Sequence, residues 1–375
     1  MGQTCFMSVI LQALIHNPII RAFYLCEGHR KEDCEREACT SCALDDIFND
    51  FLAQDKHEGY GAVNMLQACW KGGGTLAGYS QQDAHEFLGF ILNSLHAANT
   101  GEDEEASRSE SQVSFPAKEN CECIIHQTFG GLLKSTVTCS SCKNITTALD
   151  PFMDLSLDIR THPASAKPKK LKLANGTLSA AAARGNDTNS AMDLAECLSR
   201  FTSAETLSSD SYYCRNCSAP QPATKKLMLS KLPPVMPIHL KRFSHSKSSS
   251  QSSKVETKIR FPLEIDFGAY CAASSSKSKS KFEAENDQVS NGTANDGSSS
   301  KPSTSATKIE CMFDLSSVIV HKGKIDNGHY ISYSRQQGHV AEWFRFDDSM
   351  VVQVAEKEVL NAEAYMLFYV VRELP

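Results

Sequence analysis

Cys5 opens an apolar stretch in which Phe6, Val9, Ile10, Ala13 and Leu14 recur at spacings of three and four. It therefore sits in the first turn of an amphipathic helix that Thr4 can cap. Unpaired backbone N–H groups and the helix dipole favour the thiolate there, and the thiolate is the reactive form of cysteine. A cysteine beside an apolar helix is by itself more often a core residue, and what changes the reading is the C-terminal segment. Asp326-Asn327-Gly328 supplies turn residues between Val318-Ile319-Val320 and the run His329 to Tyr333, and Trp343-Phe344-Arg345-Phe346-Asp347-Asp348 follows. A hairpin can bring the strand of Asp347 beside that of His329. This gives a nucleophile, a base and an orienting carboxylate in the order Cys5, His329, Asp347.

A second chemistry lies in the paired cysteines. Cys139-x-x-Cys142 and Cys214-x-x-Cys217 can each chelate from one knuckle, and four thiolates close a tetrahedral structural zinc site. The two pairs are far apart, but Thr161 to Ser190 between them reads as an insertion, and without it a ribbon at a hairpin tip is reasonable. His29, Cys34, Cys39 and Cys42 form a second set able to close a zinc site, with Cys26 as a competing ligand. Cys121 and Cys123 can meet a metal together with His126, but a C-x-C pair holds one ion awkwardly, so packing is the preferred reading. Cys69, Cys197, Cys271 and Cys311 lack paired spacing and read as buried or loop thiols. His16, His239 and His321 lie in apolar runs and read as packed side chains.

The elements that must position these groups change character along the chain. Ser80 followed by Asp83 resembles a capping box, and Phe87, Phe90, Ile91 and Leu95 continue a helical stripe. The first third is thus mainly helical. From Phe129 onward β-branched and aromatic runs dominate, at 135–138, 152–157, 226–229, 236–243 and 313–320. Helices first and strands later predict an α+β architecture. Segments 101–119, 161–190, 244–253 and 272–308 are polar and low in complexity, and they read as disordered insertions in one domain spanning 1–375.

Composition narrows the function. The chain has 375 residues, 41% hydrophobic, with a net charge of −6 and 15 cysteines. A chain of this size buries enough surface not to need disulfide staples. The N-terminus lacks the basic lead of a secretory signal, and no apolar run is long enough for a membrane span. An intracellular, reducing setting is expected, in which cysteines mean metal ligands, catalysis or burial. The mild acidity argues against direct DNA binding, which needs clustered Lys and Arg.

Taken together, the ordered boxes resemble the ubiquitin-specific proteases, papain-like deubiquitinases built as fingers, palm and thumb. They are Gly2-Gln3-Thr4-Cys5-Phe6-Met7, Gln81-Gln82-Asp83-Ala84-His85-Glu86-Phe87, Leu232 to Phe243, and Gly328-His329-Tyr330 through Asp347 to Tyr369. The resemblance implies Cys5 as nucleophile, His329 as base, Asp347 as its orienter and Asp348 as a second or backup carboxylate. It implies that Gln82 and Asp83 help position the site, against a plainer reading as helix cap and solvated surface. Tyr330 would line the channel for the ubiquitin tail, and the four-cysteine ribbon would tip the fingers that hold the ubiquitin body.

The His29 to Cys42 cluster, Cys121 to Phe129 and Thr147 to Phe152 resemble the subgroup containing the deubiquitinase of the SAGA coactivator. That implies two structural zinc ions, a nuclear enzyme (with the cytoplasm left open), ubiquitinated histone H2B as substrate, and adaptor subunits that dock it. The rivals are a ubiquitin-binding scaffold without turnover and a general deubiquitinase acting on free chains. One departure stands out: the family's oxyanion Asn, five residues before the nucleophile, would precede Met1, so truncation within the cysteine box is expected.

Overall fold

The structure is a computed structural model describing residues 4–26, 28–52, 61–71, 82–101, 121–159, 191–245, 252–272, 311–324, 327–336 and 342–373. Six helices come first: α1 (Cys5–Ile15), α2 (Pro18–Cys26), α3 (Thr40–Leu52), α4 (Val63–Lys71), α5 (Ala84–Thr100) and α6 (Ile124–Phe129). Strands β1 (Gly131–Cys139), β2 (Ile145–Phe152), β3 (Leu155–Asp158) and β4 (Met192–Asp193) then lead to α7 (Leu194–Phe201). After α7 come β5 (Glu205–Leu207), β6 (Tyr213–Cys214), β7 (Ala219–Pro220), β8 (Ala223–Lys231), β9 (Val235–Lys241), β10 (Phe243–His245) and β11 (Ser252–Lys254). The chain closes through β12 (Ile259–Arg260), β13 (Glu264–Asp266), β14 (Met312–Lys324), β15 (Asn327–Gln336), β16 (Glu342–Asp347), β17 (Met350–Val354), α8 (Glu356–Leu360) and β18 (Ala364–Val371). The α+β expectation holds.

α1 is apolar on nearly every side, and nine of its residues are buried, so it forms the centre of the helical unit. Phe6 meets Phe87 of α5 edge to face at 5.4 Å, and Ile10, Leu14, Leu44, Phe48, Ile91 and Leu95 fill the space between the helices. Each such side chain contributes about 1.5–3 kcal/mol by leaving water. An eight-stranded sheet runs β17-β16-β15-β14-β18-β9-β3, with β13 also paired to β14. Its central strands are buried almost without alternation: Val318, Ile319, Leu367 and Tyr369 are all buried, because helices cover one face and a second apolar cluster built on Leu157, Leu198, Phe267 and Phe313 the other. A separate four-stranded sheet, β2-β1-β8-β5, projects from this body.

Several local expectations are corrected. The Thr4 side chain makes no capping bond; its carbonyl alone receives Met7 N and Ser8 N. Ser80 lies outside the described residues, and Asp83 is itself the cap of α5. The run 152–157 is two strands, since β2 ends at Phe152 in the projecting sheet and β3 then joins the main sheet parallel to β9. The run 236–243 breaks at Arg242, whose fully buried guanidinium bonds the carbonyls of Ala364, Val255 and Thr257. Of the insertion 244–253, the backbone of Ser244, His245, Ser252 and Ser253 is paired in the β10–β11 hairpin. The other three expected insertions fall almost wholly outside the described residues. Among those described, no single helix is long and apolar enough to cross a membrane.

Candidate active site and metal clusters

Cys5 is the first residue of α1 and is 8% exposed. The helix packs against β15 and β14, which carries the thiol toward the strand of His329. Antiparallel pairing of β15 with β16, from Ser332 opposite Phe346 to Gln336 opposite Glu342, sets Asp347 beside His329. The His329 Nε2 lies 2.7 Å from Asp347 Oδ1. With Nε2–H donated to the carboxylate, Nδ1 is the nitrogen left to accept a proton from a thiol. Asp348 turns into the left-handed region at φ 52°, and its Oδ2 stands 4.0 Å from the same Nε2. The other Asp347 oxygen is 3.8 Å from Lys322 Nζ, and Lys322 faces His329 directly across the β14–β15 ladder.

The hairpin that presents His329 needs a glycine. A Cβ on Gly328 would fall 2.0 Å from His321 Nε2, so any side chain there collides with a ring held between Tyr330 and Phe243. Burial, aided by the charge of Lys254, pulls the His321 pKa down to about 4, which keeps the ring neutral. His16, His239 and His321 are all packed side chains, as expected.

Asp83 joins α5 to β15 and β18. Its Oδ1 accepts from the backbone N–H groups of His85 and Glu86. Its Oδ2 receives the Tyr365 hydroxyl at 2.5 Å and the Tyr330 hydroxyl at 3.5 Å. Burial, Asp83 and the nearby Cys5 all push the Tyr330 phenol upward, so it stays protonated. Gln82 sits half-buried beside Asp83. Nearby, His85 and His239, named in the sequence as a box residue and a packed side chain, form an arrangement with Asp154 and Ser156 that the sequence did not foreshadow. His85 Nε2 meets Asp154 Oδ2 at 3.0 Å, Ser156 Oγ lies within hydrogen-bond reach of Asp154 and of His239 Nδ1, and the His85 and His239 rings stack at 3.9 Å. Asp154 follows a β-strand by two residues and has no motif of its own; only the topology brings it to α5.

Three tetrads of metal-ligand atoms assemble, each within 4.8 Å. In the first, Cys139 and Cys217 Sγ are 4.0 Å apart and Cys142 and Cys214 Sγ 3.6 Å. A sulfur tetrahedron with Zn–S bonds near 2.3 Å has an edge of about 3.8 Å, so the spacing fits that ion. Each pair forms a knuckle closed by a left-handed residue just after its second cysteine, Lys143 at φ 60° and Ser218 at φ 52°. In the second, His29 Nε2 is 3.2 Å from Cys42 Sγ and 3.4 Å from Cys39 Sγ, with Cys34 completing the set. Cys26 is exposed and does not join it. In the third, where packing was the preferred reading of Cys121 and Cys123, the donors stand close enough together to hold an ion. His96, from the last turns of α5, stands 3.2 Å from Cys123 and 3.8 Å from Cys121, and His126 Nδ1 stands 3.1 Å from Cys123. The awkward C-x-C pair becomes part of a four-donor cage because a distant helix supplies the missing ligand, which spacing alone cannot reveal.

The chain is similar to known proteins along its whole length. Ubiquitin carboxyl-terminal hydrolase 8 of Saccharomyces cerevisiae is 35% identical over 396 residues, covering 100% of this chain and 70% of its own length. Ubiquitin carboxyl-terminal hydrolase 22 of Homo sapiens is 35% identical over 373 residues, covering 98% of this chain. The chain thus spans 64% of the human relative. The SAGA Ubp8/Sgf11/Sus1/Sgf73 DUB module bound to ubiquitin aldehyde superposes with a TM-score of 0.69 at 34% identity, over 100% of this chain and 69% of that one. The family model described as ubiquitin carboxyl-terminal hydrolase matches residues 1–369, and the chain belongs to that family of cysteine-type hydrolases.

Proposed function

We propose that the protein cleaves the isopeptide bond between the C-terminal glycine of ubiquitin and a substrate lysine, with Cys5, His329 and Asp347 as its catalytic groups. The observation that carries this reading is the His329–Asp347 bond of 2.7 Å on the sheet against which the Cys5 helix packs. His329 takes the Cys5 proton, and the thiolate adds to the glycine carbonyl. The oxyanion faces the backbone N–H groups of the first turn of α1. Collapse breaks the C–N bond, and the imidazolium protonates the leaving lysine amine. Water, deprotonated by His329, then hydrolyses the thioester and returns the thiol. Asp347 holds the ring and stabilises its cationic form. Asp348 is an auxiliary carboxylate. Gln82, Asp83 and Tyr330 border the channel that takes the ubiquitin tail.

The three tetrads fit structural zinc, because four protein donors leave no open position for a water. One ion on Cys139, Cys142, Cys214 and Cys217 would brace the projecting sheet, and one on His29, Cys34, Cys39 and Cys42 the helical unit. The set of His96, Cys121, Cys123 and His126 adds a third to the two expected from the sequence. The likeness to SAGA modules supports a nuclear enzyme docked by adaptor subunits, with monoubiquitinated histone H2B as substrate. An acidic chain needs such partners to reach a nucleosome.

Cys5→Ala tests the reaction. It is expected to abolish release from a ubiquitin C-terminal fluorogenic amide, a loss of at least about 10³-fold, while ubiquitin still binds. Retained turnover would overturn the assignment. Deleting the gene and blotting for ubiquitinated H2B tests the substrate: accumulation of free ubiquitin chains without a rise in that species would favour the general deubiquitinase.

A further inference from the structure

One turn of chain, Asp83 to Phe87, contacts the residues that adjoin the nucleophile and the base. Phe87 packs on Phe6, next to the nucleophile. Asp83 and the Ala84 N–H meet the Tyr330 hydroxyl, next to the base. Asp83 also holds Tyr365 on the central strand β18. Apolar contact alone lets a helix rotate and slide by fractions of an ångström, whereas directional bonds between charged groups do not. The only ion pair recorded on this turn, among the described residues, is His85–Asp154.

Its surroundings fix the protonation pattern. Two rings stacked at 3.9 Å and 18° repel each other when both are cationic, so only one of them takes a second proton. Burial, then the charge of His85, drives His239 down to about 3. Burial also works against a charge on His85, but the bond to Asp154 and the carboxylates of Asp154, Asp83 and Glu86 outweigh it and raise its pKa. Asp154 is lowered in return: burial opposes the charge, and His85, His239 and Ser156 overcome it. A directed chain follows, in which His239 Nδ1–H donates to Ser156 Oγ, the Ser156 hydroxyl to Asp154, and the His85 Nε2–H to the same carboxylate. It ties α5 to β3 and β9.

We infer that His85 and Asp154 are positioning residues: their pair, stacked on His239, fixes the first turn of α5. It thereby fixes the Asp83 carboxylate that holds Tyr330 and Tyr365 beside the reacting groups. The inference rests on the catalytic reading of Cys5 and His329. Side chains displaced by even an ångström from a productive arrangement can lower a rate a hundredfold, and here the displaced element would be the turn between the nucleophile's helix and the base's strand.

The test measures kcat and KM of the full chain on a ubiquitin C-terminal fluorogenic amide, with the thermal midpoint and the rate of Cys5 alkylation by iodoacetamide. His85→Ala and Asp154→Asn are expected to lower kcat roughly ten- to a hundredfold with KM within about twofold, and to slow alkylation. His85→Gln, which keeps a donor of similar reach, restores most of kcat. Three outcomes overturn the inference: a rise in KM at unchanged kcat, which makes the pair a tail-binding subsite; a lower midpoint with native kcat, which makes it structural only; or no rescue by His85→Gln. Asp154→Asn is close to isosteric, so it remains informative if His85→Ala does not fold. Cys5→Ala in parallel separates the two readings, since turnover there sinks the catalytic assignment itself.

Discussion

The projecting sheet and the helical unit solve the same problem with different means. β2 is exposed along nearly its whole length, with Ile145 and Leu149 open to solvent, so the projecting sheet has little apolar interior. Its end is closed by two cysteine knuckles. The helical unit buries Ile10, Leu14, Leu44, Phe87 and Ile91 completely and carries two tetrads at its margins. A metal is therefore expected to be the main source of order at the tip of the sheet and a local brace among the helices. Structural zinc contributes about 10–16 kcal/mol in small modules that lack a core of their own, far more than any single packed side chain.

The sharpest way to break that contrast is to remove one ligand from each region. Cys142→Ser is expected to melt the knuckles while the rest unfolds separately, raising KM at least about tenfold with kcat little changed, if the sheet holds ubiquitin rather than the reacting bond. Cys42→Ser, by comparison, should lower a single cooperative transition. Calorimetry with elemental analysis checks both, and a single transition for Cys142→Ser would remove the distinction. Next in size is Arg242→Met, expected to cost about 3–5 kcal/mol in chemical denaturation, because the three carbonyls it satisfies would be left buried and unpaired.

A smaller effect depends on pH. His321 titrates at about 4 in the folded chain against an ordinary value near 6.5. The unfolded chain therefore takes the proton first, so the stability is whole above about pH 6.5 and is lost as pH falls toward 4. The share due to His321 is about 2 kcal/mol, and His321→Asn should remove that share from denaturation curves taken from pH 7 to 4, leaving the dependence that His239 imposes. The smallest change is Lys143→Gly or Ser218→Gly. Each relieves a left-handed residue and should raise the sheet's stability by about 1 kcal/mol in metal-loaded protein, with no effect on the helical unit.

How much was legible follows the same division. Groups whose partners lie within a few residues or across one hairpin could be read directly: the knuckle cysteines, the Cys5 helix start, and His329 with Asp347 across β15 and β16. Contacts made by distant elements could not. His96 is separated from Cys121 by a long polar segment, Asp154 lies after a finger strand, and Tyr365 is on the last strand. Each reaches its partner only through tertiary packing: His96 where α5 lies against α6, Asp154 and Tyr365 through side-chain bonds to the first turn of α5. Asp83 shows the intermediate case, since a capping role was foreseen for its neighbourhood but its two phenol partners were not. The break at Arg242 was invisible because a buried cation looks, in sequence, like any exposed one.

The third tetrad also bears on how the gene could be edited. His96 lies near the end of α5 and Cys121 opens the approach to α6, so a metal shared by these side chains would fasten both ends of the intervening chain at fixed points. The cost of closing a loop grows only with the logarithm of its length, about 0.6 kcal/mol for each doubling. Lengthening the chain between Gly101 and Cys121 is therefore expected to cost little stability. An epitope or a small reporter domain inserted there would be joined to the protein at two points braced by the metal, and its length could be chosen for the partner it must reach.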